Sequence, residues 1–453
     1  MAELEQLAKE GQGPSFDVLD AHLGQPTPVS LGPVVVNDTI RSDMGPFKSL
    51  PEYRVVYPGT VVQALAVLVA EYNTAFAPLV AANQETDADY RHCFVNGSPV
   101  NFGVQIDMPA LPEAFLALAA SMSMEQVVEI LRRRIFEIEN SLAMYQLLRR
   151  QFARGGISFF ESRFADFMDT LRRHTGKPVA LLAVTDQKYE SMRSSEFGKS
   201  LHDKLPKEEL LDMSGFDAMF SPDGFSRHLR QNGGESAYAL YARTSDPVAV
   251  LRDPTVRVGH ELLGNNEVRH KVRQDALTFN VDTPTAEPRH RLNDTKMYMP
   301  AMGMGVLLPG HVDLVTFLKR SATKEYFEAC GVDPEAVIGG QAALRAKPAL
   351  GTYGCYGHIH GRIGVNKFEG NLNRERQRRG SYILQPELPL LKLVNELDEE
   401  DSYIAIDRNF LGWNGEGYIF LGGFRSLMPD KTMEARKGRN HGSKETLWAE
   451  VVT

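Results

Sequence analysis

The chain has 453 residues, 43% of them hydrophobic, and a formal net charge of -8 at pH 7. That length suggests roughly three domain-sized units of ~150 residues with an ample core, and the acidic balance gives no overall field to attract nucleic acid. Three cysteines, Cys93, Cys330 and Cys355, are too few and too scattered for a disulfide framework and suit a reducing cytoplasm. The opening residues MAELEQLAKEGQG carry acids and no apolar stretch of a signal peptide. No apolar run approaches the ~20 residues of a membrane span. A cytoplasmic protein that meets no membrane is expected.

In chain order, PVVVND (33–38) and YRVVY (53–57) are β-branched runs and read as strands. TVVQALAVLVAEYN (60–73) reads as a buried helix. The run 123–156 has apolar residues at helical spacing, a capping serine at Ser123 and a stop at Gly155–Gly156, which predicts one long helix. Its Arg132, Arg133, Arg134, Arg149 and Arg150 have the chemistry to bind phosphate, with a solvated helix face the favoured reading. PVALLAV (178–184), FDAMFS (216–221) and YALYAR (238–243) are strands in a small α/β domain with a parallel sheet. Residues 252–291 are rich in Arg, His, Asp and Asn and read as a long loop or insertion. Arg257, His260, Arg269, His270, Lys271 and Arg273 cluster in it, either as ordinary surface charge or as an attractor for a carboxylate or phosphorylated carrier.

The last third begins near LNDTKMYMPAM (292–302). VDLVTFLKRSATKEYFEAC (312–330) reads as helix ending at Gly331. QAALRAKPA (341–349) and GSYILQPEL (380–388) are strands around a glycine-rich loop. SYIAIDRNFLGW (402–413) and GYIFLGGFRSL (417–427) form an antiparallel pair turned at Asn414–Gly415.

The loop after Lys347, LGTYGCYGHIHGRIG, allows backbone N–H groups to converge on phosphate oxygens, with the lysine adding a point charge. It is neither a P-loop nor a dinucleotide fingerprint. A plain surface hairpin explains the loop by itself equally well. His358 and His360 are two zinc-type ligands without the rest of a site. Cys355 reads as an incidental small residue rather than a nucleophile, and NRERQRR (373–379) as a solvated basic run.

Lys347 before the glycine loop, then YILQPEL, GGFRSLMPD and HGSKETLW, in that order, resembles the ATP-grasp superfamily of ligases. The closest likeness is to circularly permuted members akin to the glutathionylspermidine-synthetase type. It covers about residues 178–453, best after 280. The resemblance implies an α/β (α+β) fold. An N-terminal α+β region (1–176) and a small α/β domain (177–290) would precede an ATP-grasp nucleotide-binding domain (291–453) with its lid at about 341–385. It further implies an ATP-dependent, ADP-forming carboxylate–amine ligase acting through an acyl phosphate; the alternative is a nucleotide-binding protein of this fold without catalysis.

By the same resemblance, Lys347 and Lys296 contact ATP phosphates under a lid of Gly351, Gly354 and Gly357. Gln385, Glu387 and Leu388 line adenine and ribose. Arg425 faces the transferred phosphoryl group, and Lys444 assists near the substrate. In permuted relatives the metal ligands come early, which places Asn37 and Asp38 at Mg²⁺ within VVVNDTIRSDMGPF (34–47). Asn37 and Thr39 stand where the family has Glu and Asn. The implied partners are a small-molecule carboxylate and an amine (amino acid, peptide or polyamine), free or on a carrier protein, with a homodimer compatible and no nucleic acid.

Overall fold

The computed structural model describes residues 23, 25–42, 45–86, 103–139, 165–167, 169, 173, 179–185, 218–220, 237–243, 299–308, 312–348, 359–361, 368–373, 382–414, 416–430 and 446–453. The first strands are β1 (Pro26–Val29), β2 (Val35–Ser42) and β3 (Gly45–Val56). Helix α1 (Gly59–Thr86) follows. Its Val61, Ala64, Leu65, Leu68, Val69 and Tyr72 recur at three and four residues, and all are wholly buried. Each of the larger ones contributes ~1.5–3 kcal/mol of transfer free energy.

Strand β4 (Gly103–Pro109) precedes α2 (Glu113–Ala119) and α3 (Met124–Arg134). Ser123 starts α3 with a reciprocal cap: its Oγ accepts from the Gln126 N–H, and its own N–H donates to Gln126 Oε1. The helix ends at Ile135, which is extended, and the chain enters β5 (Glu137–Glu139). The single long helix expected over 123–156 is therefore corrected at its middle. Pairing with β4 takes the backbone instead: the Phe136 N–H donates to Asp107 O at 3.1 Å, and Glu137 lies opposite Asp107. Residues 140–156 lie outside the described residues.

The expected parallel sheet is present in β6 (Val179–Thr185), β7 (Ala218–Phe220) and β8 (Ala237–Arg243), in the order β7-β6-β8. Residues 252–291 are outside the described residues. Next come β9 (Val306–Leu308), then α4 (Leu314–Leu318), α5 (Ser321–Ala329) and α6 (Pro334–Ile338). The helix expected over 312–330 is thus two helices, broken at the extended Arg320. It does stop at Gly331, whose left-handed φ of 75° suits glycine.

Strands β10 (Leu344–Pro348), β11 (Ile359–Gly361) and β12 (Tyr382–Pro386) complete an antiparallel four-stranded sheet in the order β11-β10-β12-β9. The chain closes with β13 (Leu391–Asn395), β14 (Asp398–Trp413), β15 (Tyr418–Pro429) and β16 (Leu447–Val452). The β14–β15 hairpin is as expected, and the Asn414 carboxamide accepts from the N–H groups of Glu416 and Gly417.

Strands from both ends of the chain share one nine-stranded sheet, in the order β1-β13-β14-β15-β16-β3-β2, with β4 also on β14 and β5 on β4. Strand β14 is long enough to pair with β13 along one half and β4 along the other. The fold is mixed α/β. The arginines of α3 are not a solvated face. Arg132 donates to Met302 O and pairs with Glu71 at 2.7 Å, Arg133 donates to Ala329 O, and Arg134 is wholly buried. They tie this helix to the segment 302–329. Among the described residues, no helix is long and apolar enough to cross a membrane.

Candidate functional site at the seam of the two larger sheets

Side chains alternate across the large sheet, and its two faces differ in chemistry. Val104, Ile106, Met108, Ala405, Leu411, Leu427, Ala449 and Val451 belong to the apolar core that includes the buried residues of α1. The register places a different row on the opposite face. Glu137 lies opposite Asp107, Asp107 opposite Arg408, Arg408 opposite Phe424, Phe424 opposite Glu450, and Glu450 opposite Arg54. Four of its charged members are buried: Glu137 is 5% exposed, Asp107 3%, Arg408 4% and Glu450 2%. Burying charge costs several kcal/mol unless it is paired, so such a row calls for a chemical reason.

Asp107 is the centre of the pairing. Its Oδ2 lies 3.5 Å from Arg408 Nη1, and its Oδ1 accepts from Gln105 Nε2 at 2.9 Å. Burial holds the Asp107 carboxyl above the usual carboxylate range; Arg408 works against that shift and Glu137 adds to it. Burial likewise raises Glu450, with Arg54 at 3.3 Å opposing. Among the described residues, neither carboxylate oxygen of Glu450 accepts a hydrogen bond.

The small antiparallel sheet docks on this row through β10 and β12. Arg345 faces Gln385 in the register, so Arg345, Lys347 and Gln385 share one side of that sheet. Lys347 Nζ donates to Phe136 O and lies 4.0 Å from Glu137 Oε2. Lys347 and Arg345 both sit over the Phe136 ring, 5.3 Å from its centroid. Gln385 Nε2 donates to Met304 O at 2.6 Å and to Ile135 O at 3.3 Å, while its Oε1 has no hydrogen-bond partner among the described residues. The seam thus assembles the carboxylates of Asp107 and Glu137, Lys347, the two arginines Arg345 and Arg408, and the Gln385 carboxamide in a setting largely withdrawn from water. This is the equipment for handling phosphate, carboxylate or a proton.

The residues expected from sequence fall in three places. Lys347 and Gln385 are at the seam, with Glu387 beside them: its N–H donates to Ala343 O, and its carboxylate lies 3.9 Å from Arg345. Leu388 follows in an irregular, partly exposed stretch. Arg425 is elsewhere, on the apolar side of the sheet. Its Nε donates to Asp407 Oδ1 at 2.7 Å, its Nη2 to Asp407 Oδ2 and Leu111 O at 2.8 Å each, and its Nη1 to Tyr53 Oη at 3.1 Å. Burial by itself lowers the Arg425 pKa, but Asp407 and the tyrosines outweigh it and hold the charge firmly. Asn37 and Asp38 lie on β2, at one end of the strand order, whereas Lys347 meets β5, six strand steps away. Lys296, Lys444, Gly351, Gly354 and Gly357 lie outside the described residues, as do Cys355 and His358. Among the described residues, no group of three or more His, Cys, Asp and Glu is arranged to hold a metal.

Sequence reasoning missed Asp107, Glu137, Arg408 and Glu450. The signal for Asp107, Arg408 and Glu450 was present in GVQIDMP, AIDRNFLG and LWAEVV, where charges interrupt apolar strands, whereas Glu137 lies in IFEIE, inside the run that reads as helix. No protein-family model and no curated protein matches the chain.

Proposed function

We propose that the protein is an ATP-dependent carboxylate–amine ligase, with ADP and phosphate as products. The observation that carries this reading is Lys347, held at the buried seam by the strand that leads into the glycine-rich loop. ATP, when bound, supplies the phosphoryl group that activates a carboxylate as an acyl phosphate, and an amine then displaces phosphate. Lys347 neutralises phosphate charge in a low-dielectric setting where that counts most. Gln385 closes the wall, and its Oε1, which has no partner among the described residues, suits the exocyclic amine of a base. The buried seam excludes the water that would hydrolyse an activated acyl group. A substrate of the amino acid, peptide or polyamine class provides the amine.

A non-catalytic nucleotide-binding protein is the second reading, favoured by the distance between Asn37–Asp38 and Lys347 in the strand order. One experiment separates the two. Titration calorimetry with a non-hydrolysable ATP analogue, on the wild type and Lys347→Ala, is paired with chromatographic assay of nucleotide products during a screen of acids and amines. The ligase reading expects binding lost in the variant, and ADP formed only with the right acid present. Binding without turnover supports the second reading. AMP as the main product contradicts the mechanism.

A further inference from the structure

Strand β2 ends the strand order of the large sheet, and among the described residues it pairs with β3 alone. A strand at the end of a sheet presents backbone N–H and C=O groups on its outer side, a template for one more strand. The side chains at its start agree with that. Val34, Val35 and Val36 are 44%, 43% and 49% exposed. Apolar residues exposed singly are ordinary, whereas three in a row mark a surface made to be covered. Successive side chains of a strand point to opposite faces, so this run leaves both faces of the sheet open at the edge. A helix or a rigid surface laid on the sheet covers one face. A further strand, paired along the edge, covers both.

We propose that the occupant is β2 of a second copy of this chain, paired antiparallel about a two-fold axis at Val35, so that the sheet runs on from one subunit into the other. The inference goes beyond the ligase reading and does not depend on it, because no residue of the seam takes part.

The sequence of the edge suits self-pairing. An interface on a two-fold axis must be complementary to itself. An axis at Val35 sets that residue opposite Val35 of the partner subunit, and Val34 opposite Val36 of the partner subunit. Every central pair is then between β-branched residues, which pack well across strands. Edges that must stay single are guarded by lysine or another charge, and the run Val34–Val36 has none. Pro33, which has no N–H to give, bounds the pairing on one side. The chain carries a net charge of -8, which sets two copies against each other at long range, but the strand VVNDTIRS contains one acid and one base and is neutral. The apolar contact is short and falls below the ~1,200 Å² of a standard interface, so the dimer forms and dissociates with concentration.

The test is sedimentation equilibrium of the full chain over roughly 1 to 200 μM, a range that spans weak association. Wild type and Val35→Lys are compared, with circular dichroism confirming the fold of each. The wild type is expected to show a monomer–dimer equilibrium. Val35→Lys weakens it tenfold or more, because the axis sets two like charges directly opposite each other. A second variant reads the register and does not require a lysine to be tolerated. Residues opposite one another in antiparallel strands have Cα atoms ~4.5–5.5 Å apart, within disulfide reach. Val35→Cys is therefore expected to give a covalent dimer on mild oxidation with copper phenanthroline. The comparison is with the wild type, which has its own Cys93, Cys330 and Cys355, and with Leu397→Cys, at a residue 82% exposed in the turn between β13 and β14. A wild type that stays monomeric or associates without end, a dimer that Val35→Lys leaves unchanged, or a Val35→Cys cross-link no stronger than that of Leu397→Cys overturns the proposal. Each of these leaves the ligase reading intact, since that is tested by nucleotide binding at Lys347.

Discussion

Asp407 and Arg425 face each other across β14 and β15 and share two charge-assisted hydrogen bonds, Nε to Oδ1 at 2.7 Å and Nη2 to Oδ2 at 2.8 Å. Both side chains are wholly buried. Tyr57 Oη donates to the same carboxylate at 2.7 Å, and the Leu111 N–H donates to it at 3.0 Å. The network locks β3, β14, β15 and the turn after β4 into one arrangement.

Arg425→Met is therefore expected to act on stability before chemistry. It leaves the Asp407 charge buried without its cation, a loss of ~3–5 kcal/mol for a broken buried pair. Urea unfolding followed by tryptophan fluorescence measures it. A variant as stable as the wild type but without turnover would return Arg425 to the active site.

Gln385→Leu removes both donors that join β12 to Met304 and Ile135. Two buried carbonyls lose a partner, at ~1–3 kcal/mol each. Amide exchange of β10 and β12 should accelerate more than that of β15, because the small sheet loosens from the seam while the large sheet stays paired. Equal acceleration everywhere would mean that the sheets do not open separately.

Glu450 gives the protein a pH dependence of known sign. Its folded carboxyl is held above the ordinary range by burial, so the folded state keeps its proton to higher pH than the unfolded state. This contribution to stability is fully present below the ordinary carboxylate value and is lost as pH rises through the raised one. Asp107 has the same sign. Glu450→Gln should therefore gain on the wild type in urea midpoints as pH rises from the ordinary carboxylate range upward. A constant difference across that range would show that Glu450 is not perturbed.

Gly423→Ala tests how tightly the hairpin is closed beside the seam. A Cβ there would lie 2.8 Å from Arg408 O and 3.1 Å from Asn409 Oδ1. The backbone oxygen cannot turn aside, so β14 and β15 must separate locally, at ~1–3 kcal/mol. A lowered melting temperature is expected, and an unchanged one would show that the hairpin yields without cost.

The sequence by itself determined the local elements. Helix α1 is visible because its apolar residues repeat at 3.6, and the strands of the 179–243 sheet, β12 and the β14–β15 hairpin are visible because runs rich in β-branched, aromatic and other apolar residues end at turn residues, while β10 is visible only as a short run between a helix and a glycine-rich loop. Lys347 and Gln385 stood out for the same reason: each sits on a recognisable strand beside a glycine-rich loop. What happens at Ile135 could not be read locally, because helix periodicity continues there and only pairing with β4, about thirty residues upstream, draws the backbone into a strand. The partners of Arg408 and Arg425 were equally hidden. Both lie in apolar strands of similar appearance, and which one turns to Lys347 is fixed by the register of β14 against β4 and β15. A one-residue slip would exchange their faces. That register is set by the summed burial of both sheet faces and by contacts between residues more than two hundred positions apart, a quantity that no local window of sequence contains.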